Sequence, residues 1–152
     1  MSKTPASPPS LSLIAYETAS EAIAAGIAYA QEHRVRLSFV VVDSAGHLVA
    51  AARMDGAPFV TTEVARGKAF ASVATGGQPG SDLAQRYRDN PMVWGNAGPL
   101  GYGAPLLPAQ GSLPIFQDGR LVGAIGASGA PSDVDESALV HAISAIGASA
   151  KP

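Results

Sequence analysis

The chain has 152 residues with a formal net charge of −2, and 47% of its residues are hydrophobic while 14% are charged, which suits one folded domain. No apolar run reaches the roughly 18 residues of a membrane-spanning helix, and no basic surface is available, so we expect neither membrane nor nucleic acid as a partner. The lack of cysteine excludes disulfides and thiolate chemistry. We expect a disordered Pro/Ser-rich tail over residues 1–10, one domain over 11–150 and a cytoplasmic location.

The first half of the chain predicts a helix, a hairpin and a second helix. Apolar residues recur at three- and four-residue spacing over about 13–33, which is typical of an amphipathic helix. Two strand-like runs at 37–43 and 47–54 flank a short turn ending in Gly46, which favours a β-hairpin with a positive φ at that glycine. Helical spacing returns over about 61–74.

The second half predicts a short helix over 81–90, a second hairpin and a final helix over about 133–146. Between them, 91–108 is rich in Gly and Pro and is predicted to be a loop, whose apolar residues indicate that it covers something. The hairpin strands at 112–117 and 120–128 are joined by Asp118-Gly119. Pro131 suits the start of the last helix, with Ser132 or Asp133 as its N-cap.

The glycine-rich stretch GAIGASGAPSDVDES, residues 123–137, resembles a phosphate-binding loop but lacks its context. Too little chain follows for a dinucleotide-binding unit, and no Gly-Lys-Ser/Thr ending is present. Glycine inside a strand instead indicates that a backbone or a flat ligand approaches closely at Gly123 and Gly126. The turn after Ser128 could still offer backbone amides to a ligand carboxylate.

In chain order, the segments VVVD, RMDGA, ARGKA, GSLPI and VGAIGASGA, with Asp135 just after, resemble the heme-degrading GlcG/HbpS-like family, which also includes the C-terminal domain of PduO-type proteins. The resemblance runs from about residue 11 to 148. It implies a profilin-like α+β fold with an antiparallel sheet flanked by helices, homo-oligomeric assembly that is often octameric, and heme or another small ligand in some members. The chain departs from the family pattern at Ser112, where a second glycine is usual after Gly111.

Two cationic side chains are candidate catalytic groups. Arg53, at a strand end, can grip a carboxylate of heme or of a small organic acid, or it can form a salt bridge to Asp43 or Asp55. Lys68 falls beside the apolar side of its helix, where an ammonium is costly without a partner. It is either an acid/base group with a depressed pKa or a lysine whose ammonium reaches solvent.

Other polar and aromatic residues give weaker signals. His33, His47 and His141 lack metal-binding spacing, so we expect no metal site. Glu63 and Arg66 are spaced for an ion pair on the solvated face of their helix. Trp94 and Tyr102 form either an aromatic lid over a flat ligand or ordinary packing of a loop on the core.

Three functions remain open from the sequence. The first is binding of heme or another tetrapyrrole, with possible assistance to heme breakdown. The second is a lyase- or isomerase-type enzyme acting on an organic acid, with Arg53 as anchor and Lys68 moving a proton. The third is a non-catalytic oligomeric scaffold or sensor accessory. The binding residues expected for a small ligand are Arg53, Lys68, Trp94, Tyr102, Gly126 and Ser128.

Overall fold

The computed structural model describes residues 12–100 and 103–152. These residues form five helices and four strands in one domain, which confirms the predicted α+β fold with a helix-flanked antiparallel sheet. In chain order the elements are α1 (Tyr16–Glu32), β1 (Ser38–Asp43), β2 (Leu48–Arg53), α2 (Val60–Ala74), α3 (Gly80–Asp89), α4 (Pro91–Ala97), β3 (Ser112–Gln117), β4 (Arg120–Ser128) and α5 (Ser132–Ala145). A single 3₁₀ turn follows α4 at Gly98–Leu100.

The sheet has the strand order β2-β1-β4-β3, and every neighbouring pair is antiparallel. Both predicted hairpins are confirmed. Gly46 has a φ of 86°, and the two turn residues Asp118 and Gly119 have φ of 51° and 76°, as a two-residue turn between twisted strands requires. The other edge of β3 pairs with the C-terminal segment, because Phe116 and Ser149 exchange backbone hydrogen bonds of 2.7 and 3.0 Å.

Helices cover both faces of the sheet. Alternate residues of β1 point to opposite faces, so Phe39 and Val41 pack with α1 and α5, while Val40 and Val42 pack with α2. Every residue of β1 is therefore buried. Among the described residues, no helix is both long enough and apolar enough to span a bilayer.

Helix α2 approaches the sheet closely at Gly126. A Cβ atom at this position would lie 2.1 Å from the carbonyl oxygen of Ala65 and 3.1 Å from the backbone nitrogen of Ala69. The expected close approach at this glycine is thus made by a helix backbone, which occupies the space that a flat ligand would need.

The predicted loop over 91–108 is wrong in its first part, which forms α4 and the 3₁₀ turn. The Asn90 side chain accepts a hydrogen bond of 3.4 Å from the Val93 amide, and Pro91 stands at the first helical position, where its missing N–H costs nothing. No residue of α4 is buried, so apolar periodicity gave no signal for this helix.

The predicted N-cap of α5 is also wrong. The cap position is Pro131, and neither Ser132 nor Asp133 makes a capping hydrogen bond. Tyr102 and the tail over residues 1–10 lie outside the described residues.

Replacing Gly126 with alanine should destabilise the protein by about 1–3 kcal/mol, because the new methyl group would collide with the α2 backbone and not with a flexible side chain. Urea unfolding measures the change. Gly95→Ala is the matched control, since its methyl group would meet only Tyr87 at 3.7 Å in an exposed helix and should leave stability equal or slightly raised. Equal stability of the two variants would contradict the tight contact.

Candidate ligand-binding site

Lys68 lies inside the protein, where its ammonium donates to two acceptors. Its Nζ donates to the carbonyl oxygen of Ala127 at 3.0 Å and to Oδ2 of Asp135 at 3.4 Å. Lys68 is 5% exposed and Asp135 is 1% exposed, so both charges are removed from water. This ion pair joins α2, on one face of the sheet, to α5, on the other face.

Opposing influences act on the pKa of the Asp135 carboxyl. Burial raises the pKa of the Asp135 carboxyl, while the charge of Lys68 and a 3.1 Å hydrogen bond from the Ala130 amide act in the opposite direction. The same Ala130 bond holds the turn that precedes α5. Asp135, and not a capping side chain at Ser132 or Asp133, therefore holds the start of α5.

Gly111 provides the space for the Lys68 ammonium. Its φ is 114°, and a Cβ atom there would lie 2.7 Å from Nζ of Lys68 and 3.1 Å from the Ala127 carbonyl oxygen. An L-residue at this position would be strained in its backbone and would collide with the ammonium.

Arg53 and Ser128 share the α2 face of the sheet but belong to different surroundings from Lys68. Ser38 pairs with Arg53 on one side and with Ser128 on the other, and its hydroxyl contacts the Thr61 hydroxyl of α2 at 2.7 Å. Residues directly opposite one another in a sheet project to the same face. The three residues thus form a row across β2, β1 and β4.

Arg53 does not form the salt bridge that was its alternative reading. Its Nη1 donates to the carbonyl oxygen of Ala57 at 2.9 Å, and within residues 12–100 and 103–152 no carboxylate lies within 4.0 Å of the guanidinium. Arg53 is also one of the residues that line an open groove.

This groove, which we call the arginine groove, has a volume of about 590 Å³ and lies between the end of α1 and the end of β2. Three arginines and one aspartate are among the residues that line it. The lining residues are Ile27, Gln31, Arg34, Val35, Arg36, Arg53, Met54 and Asp55. The arrangement can hold an anion against a partly apolar wall.

The glycine of the RMDGA segment shapes this groove. Gly56 has a φ of 85°, and a Cβ atom there would fall among the side-chain atoms of Arg36. Because Gly56 has no side chain, the Arg36 guanidinium can occupy this space.

Other predicted site residues lie elsewhere. Lys68, Trp94, Gly126 and Ser128 are not among the lining residues of the arginine groove. Trp94 lies on α4, with its ring centroid 6.0 Å from the Arg86 guanidinium of α3. Tyr102 is outside the described residues.

The histidines do not gather around a metal ion. The His33 ring contacts the Tyr29 carbonyl oxygen at 2.9 Å, and the His47 side chain is 81% exposed. No group of three metal-ligating side chains occurs in the part of the chain that the structure describes.

Sequence reasoning missed Arg34 and Arg36 of the arginine groove, and the partner of Lys68. The signal for the first two was the run HRVR, which places cations where α1 ends and the chain turns towards β1. Arg34 even has a φ of 56°, the left-handed conformation that often ends a helix.

Comparisons with known proteins agree on one relationship. A family model described as "Haem degrading protein HbpS-like" matches residues 14–144. The chain is 34% identical to Protein GlcG of Escherichia coli K12 over 121 residues, which cover 76% of this chain and 81% of GlcG.

Solved structures show the same fold. A double mutant of Streptomyces reticuli HbpS has a TM-score of 0.78 at 27% identity, covering 95% of this chain and 97% of that chain. The crystal structure of a PduOC:heme complex has a TM-score of 0.81 at 23% identity, covering 92% of this chain and 99% of that chain.

Replacing Lys68 with methionine should make stability fall as the pH rises. Without the ammonium, the pKa of the buried Asp135 carboxyl rises further, so the folded state keeps a proton that the unfolded chain releases from about pH 4 upwards. Each unit of added pKa difference costs about 1.4 kcal/mol at a pH above both values. Urea unfolding between pH 4.5 and 8 measures this slope.

The control is the double variant Lys68→Met/Asp135→Asn, which cannot ionise at position 135. It should lack the part of the slope that Asp135 causes. Identical slopes in the single and double variants would show that Asp135 does not titrate in the interior.

Proposed function

Since the chain belongs to the HbpS-like family of heme-degrading proteins, we propose that it binds heme or a related tetrapyrrole in the arginine groove. The single observation that carries the proposal is the convergence of Arg34, Arg36 and Arg53 on a groove of about 590 Å³. Heme is a flat apolar body with two carboxylates on one edge. Its carboxylates require cations at one side of an apolar surface, and this groove has both.

The groove has enough arginines to bind both heme propionates, and these arginines are accessible. Arg34, Arg36 and Arg53 are all exposed, so their N–H groups are available without unfolding any part of the chain. Arg53 is the best fixed of them, because its Nη1 donates to the Ala57 carbonyl oxygen while the residue lines the groove. An arginine can bind a carboxylate through two parallel hydrogen bonds.

The apolar part of the lining suits the porphyrin ring. Ile27, Val35 and Met54 are partly buried and line the groove beside the arginines. No histidine is among the lining residues, and the Met54 sulfur accepts a hydrogen bond of 3.4 Å from the Leu37 amide. The groove therefore supplies anchors for the carboxylates and a surface for the ring, while iron ligation is not part of its lining.

The relatives support a tetrapyrrole over other organic anions. The family description names heme degradation, and one structure of the same fold is a heme complex. An accessory role in heme breakdown would follow if the protein held the tetrapyrrole for a partner reaction. The buried Lys68–Asp135 pair makes an acid/base step at Lys68 the less favoured role, because both of its hydrogen-bond acceptors belong to the protein itself.

Hemin titration should give a saturable shift of the Soret band, and Arg53→Gln should weaken binding about tenfold, because one charge-assisted carboxylate contact is lost. Absorption spectroscopy measures both. Arg120→Gln is the matched control, since Arg120 begins β4 and does not line the arginine groove, and it should bind as the wild type does.

Hemin dimethyl ester provides a second control because it lacks free carboxylates. It should bind the wild type more weakly and should not distinguish Arg53→Gln from the wild type. A spectrum of protein and hemin that equals that of free hemin would overturn the proposal.

We also propose that the protein is a homo-oligomer, as the resemblance implied. Several large apolar side chains face outwards. Phe59, just before α2, is 83% exposed, Met92 of α4 is 78% exposed, and Leu100 of the 3₁₀ turn is 71% exposed. Exposed apolar surface of this kind is typical of contacts between subunits.

Analytical ultracentrifugation should give a mass that is a multiple of 15.3 kDa, up to eight chains for an octamer. Phe59→Ser should lower the mass at equal concentration by removing apolar contact area. Tyr16→Ser, which changes a 65% exposed side chain on α1, is the matched control. A wild-type mass of a single chain at all concentrations would contradict assembly.

A further inference from the structure

Arg66 of α2 has a buried donor with no acceptor. Its Nε atom is shielded from water and has no hydrogen-bond partner. The predicted ion pair with Glu63 is wrong, because no carboxylate of the described residues lies within 4.0 Å of the Arg66 guanidinium. The cation is partly buried, so it does not lie on the freely solvated face that its spacing indicated.

A buried donor without a partner is unusual and needs a physical reason. Folded proteins satisfy nearly all such groups, because an unsatisfied donor loses its bonds to water and gains nothing in return. An acceptor from outside the chain would reach this guanidinium through its Nη groups, because the Nε atom itself is shielded from solvent.

A groove in front of Arg66 has room for such an acceptor. It has a volume of about 330 Å³, at the small end of the range for ligand pockets. The turn between β1 and β2, helix α2 and the segment before β3 contribute its lining residues, Ala45, Gly46, His47, Leu48, Arg66, Phe70, Gly103 and Ala104. Arg66 and His47 are the polar side chains among them, and Leu48 and Phe70 supply apolar surface.

Asp43 lies in the turn that borders this groove, and its carboxylate has partners of its own. The Asp43 carboxylate accepts hydrogen bonds from the backbone amides of Ala45 and His47 at 2.9 and 3.0 Å, and it lies 3.9 Å from the His47 ring. Asp43 therefore fixes the turn that forms one wall of the groove and is not one of the lining residues.

We propose that this groove is a second ligand site, which binds a small monocarboxylate with a compact apolar body. The guanidinium of Arg66 receives the carboxylate, and Leu48 and Phe70 contact the apolar part. The site is independent of the proposed heme groove, because Leu48 and Arg53 are the first and last residues of β2, roughly 17 Å apart along the strand.

Benzoate is a suitable probe because it joins one carboxylate to one apolar ring. Isothermal titration calorimetry of the full chain should show saturable binding below about 20 mM benzoate, and the ligand should raise the melting temperature by mass action. Acetate, which lacks the ring, should bind at least about fivefold more weakly. Inorganic phosphate should not compete with benzoate at equal concentration.

The variant Arg66→Met separates a binding role from a structural one. It should abolish benzoate binding, yet its melting temperature without ligand should equal or exceed that of the wild type, because an unsatisfied buried donor has been removed. Arg120→Met is the matched control, since Arg120 begins β4 and lines neither groove, and it should retain wild-type affinity for benzoate.

Three results would each overturn the proposal. They are the absence of benzoate binding to the wild type, unchanged affinity in Arg66→Met, and a lower melting temperature of ligand-free Arg66→Met, which would assign Arg66 to the fold. Competition by phosphate would assign the groove to anions in general. Failure of hemin to bind would leave these results unaffected, since they concern a different groove.

Discussion

The contact between the Lys68 ammonium, the Ala127 carbonyl and the Asp135 carboxylate fixes the three layers of the molecule relative to one another. Lys68 belongs to the helix on one face of the sheet, Ala127 to the sheet itself, and Asp135 to a helix on the other face. A buried charge pair adds little net stability because both ions lose hydration, but a broken pair is costly. The pair therefore penalises any arrangement in which α2 and α5 shift with respect to β4.

Local signals predicted the architecture well where the chain alternates regularly. The hairpins followed from short turns with glycine, and the long helices followed from apolar spacing. Helix α4 escaped because its residues stay exposed, so no apolar period marks it, although Asn90 followed by Pro91 is a recognisable helix start. The Gly and Pro content of the segment argued against a helix, whereas the N-cap at Asn90 favours one.

The site was less predictable because it depends on pairings between distant segments. Arg53 was predicted from the sequence because it ends a strand and begins the segment RMDGA, but Arg34 and Arg36, which line the same groove, come from another connection. Lys68 was recognised as costly to bury, while its partner Asp135 is 67 residues away and could not be assigned from spacing. The predicted ion pair between Arg66 and Glu63 was wrong for a different reason. A helical i, i+3 spacing permits such a pair but does not enforce it.

Gly111 has a consequence for how this sequence can change over generations. Its backbone conformation strains any other residue, and a side chain there would also collide with the Lys68 ammonium, so a substitution at Gly111 requires in addition a shorter residue at position 68. A shorter residue at position 68 would in turn leave the buried Asp135 carboxylate without its ion-pair partner. Positions 68, 111 and 135 are thus expected to change together among descendants or not at all. The residues found at these three positions would therefore show whether a descendant has kept the contact between the layers.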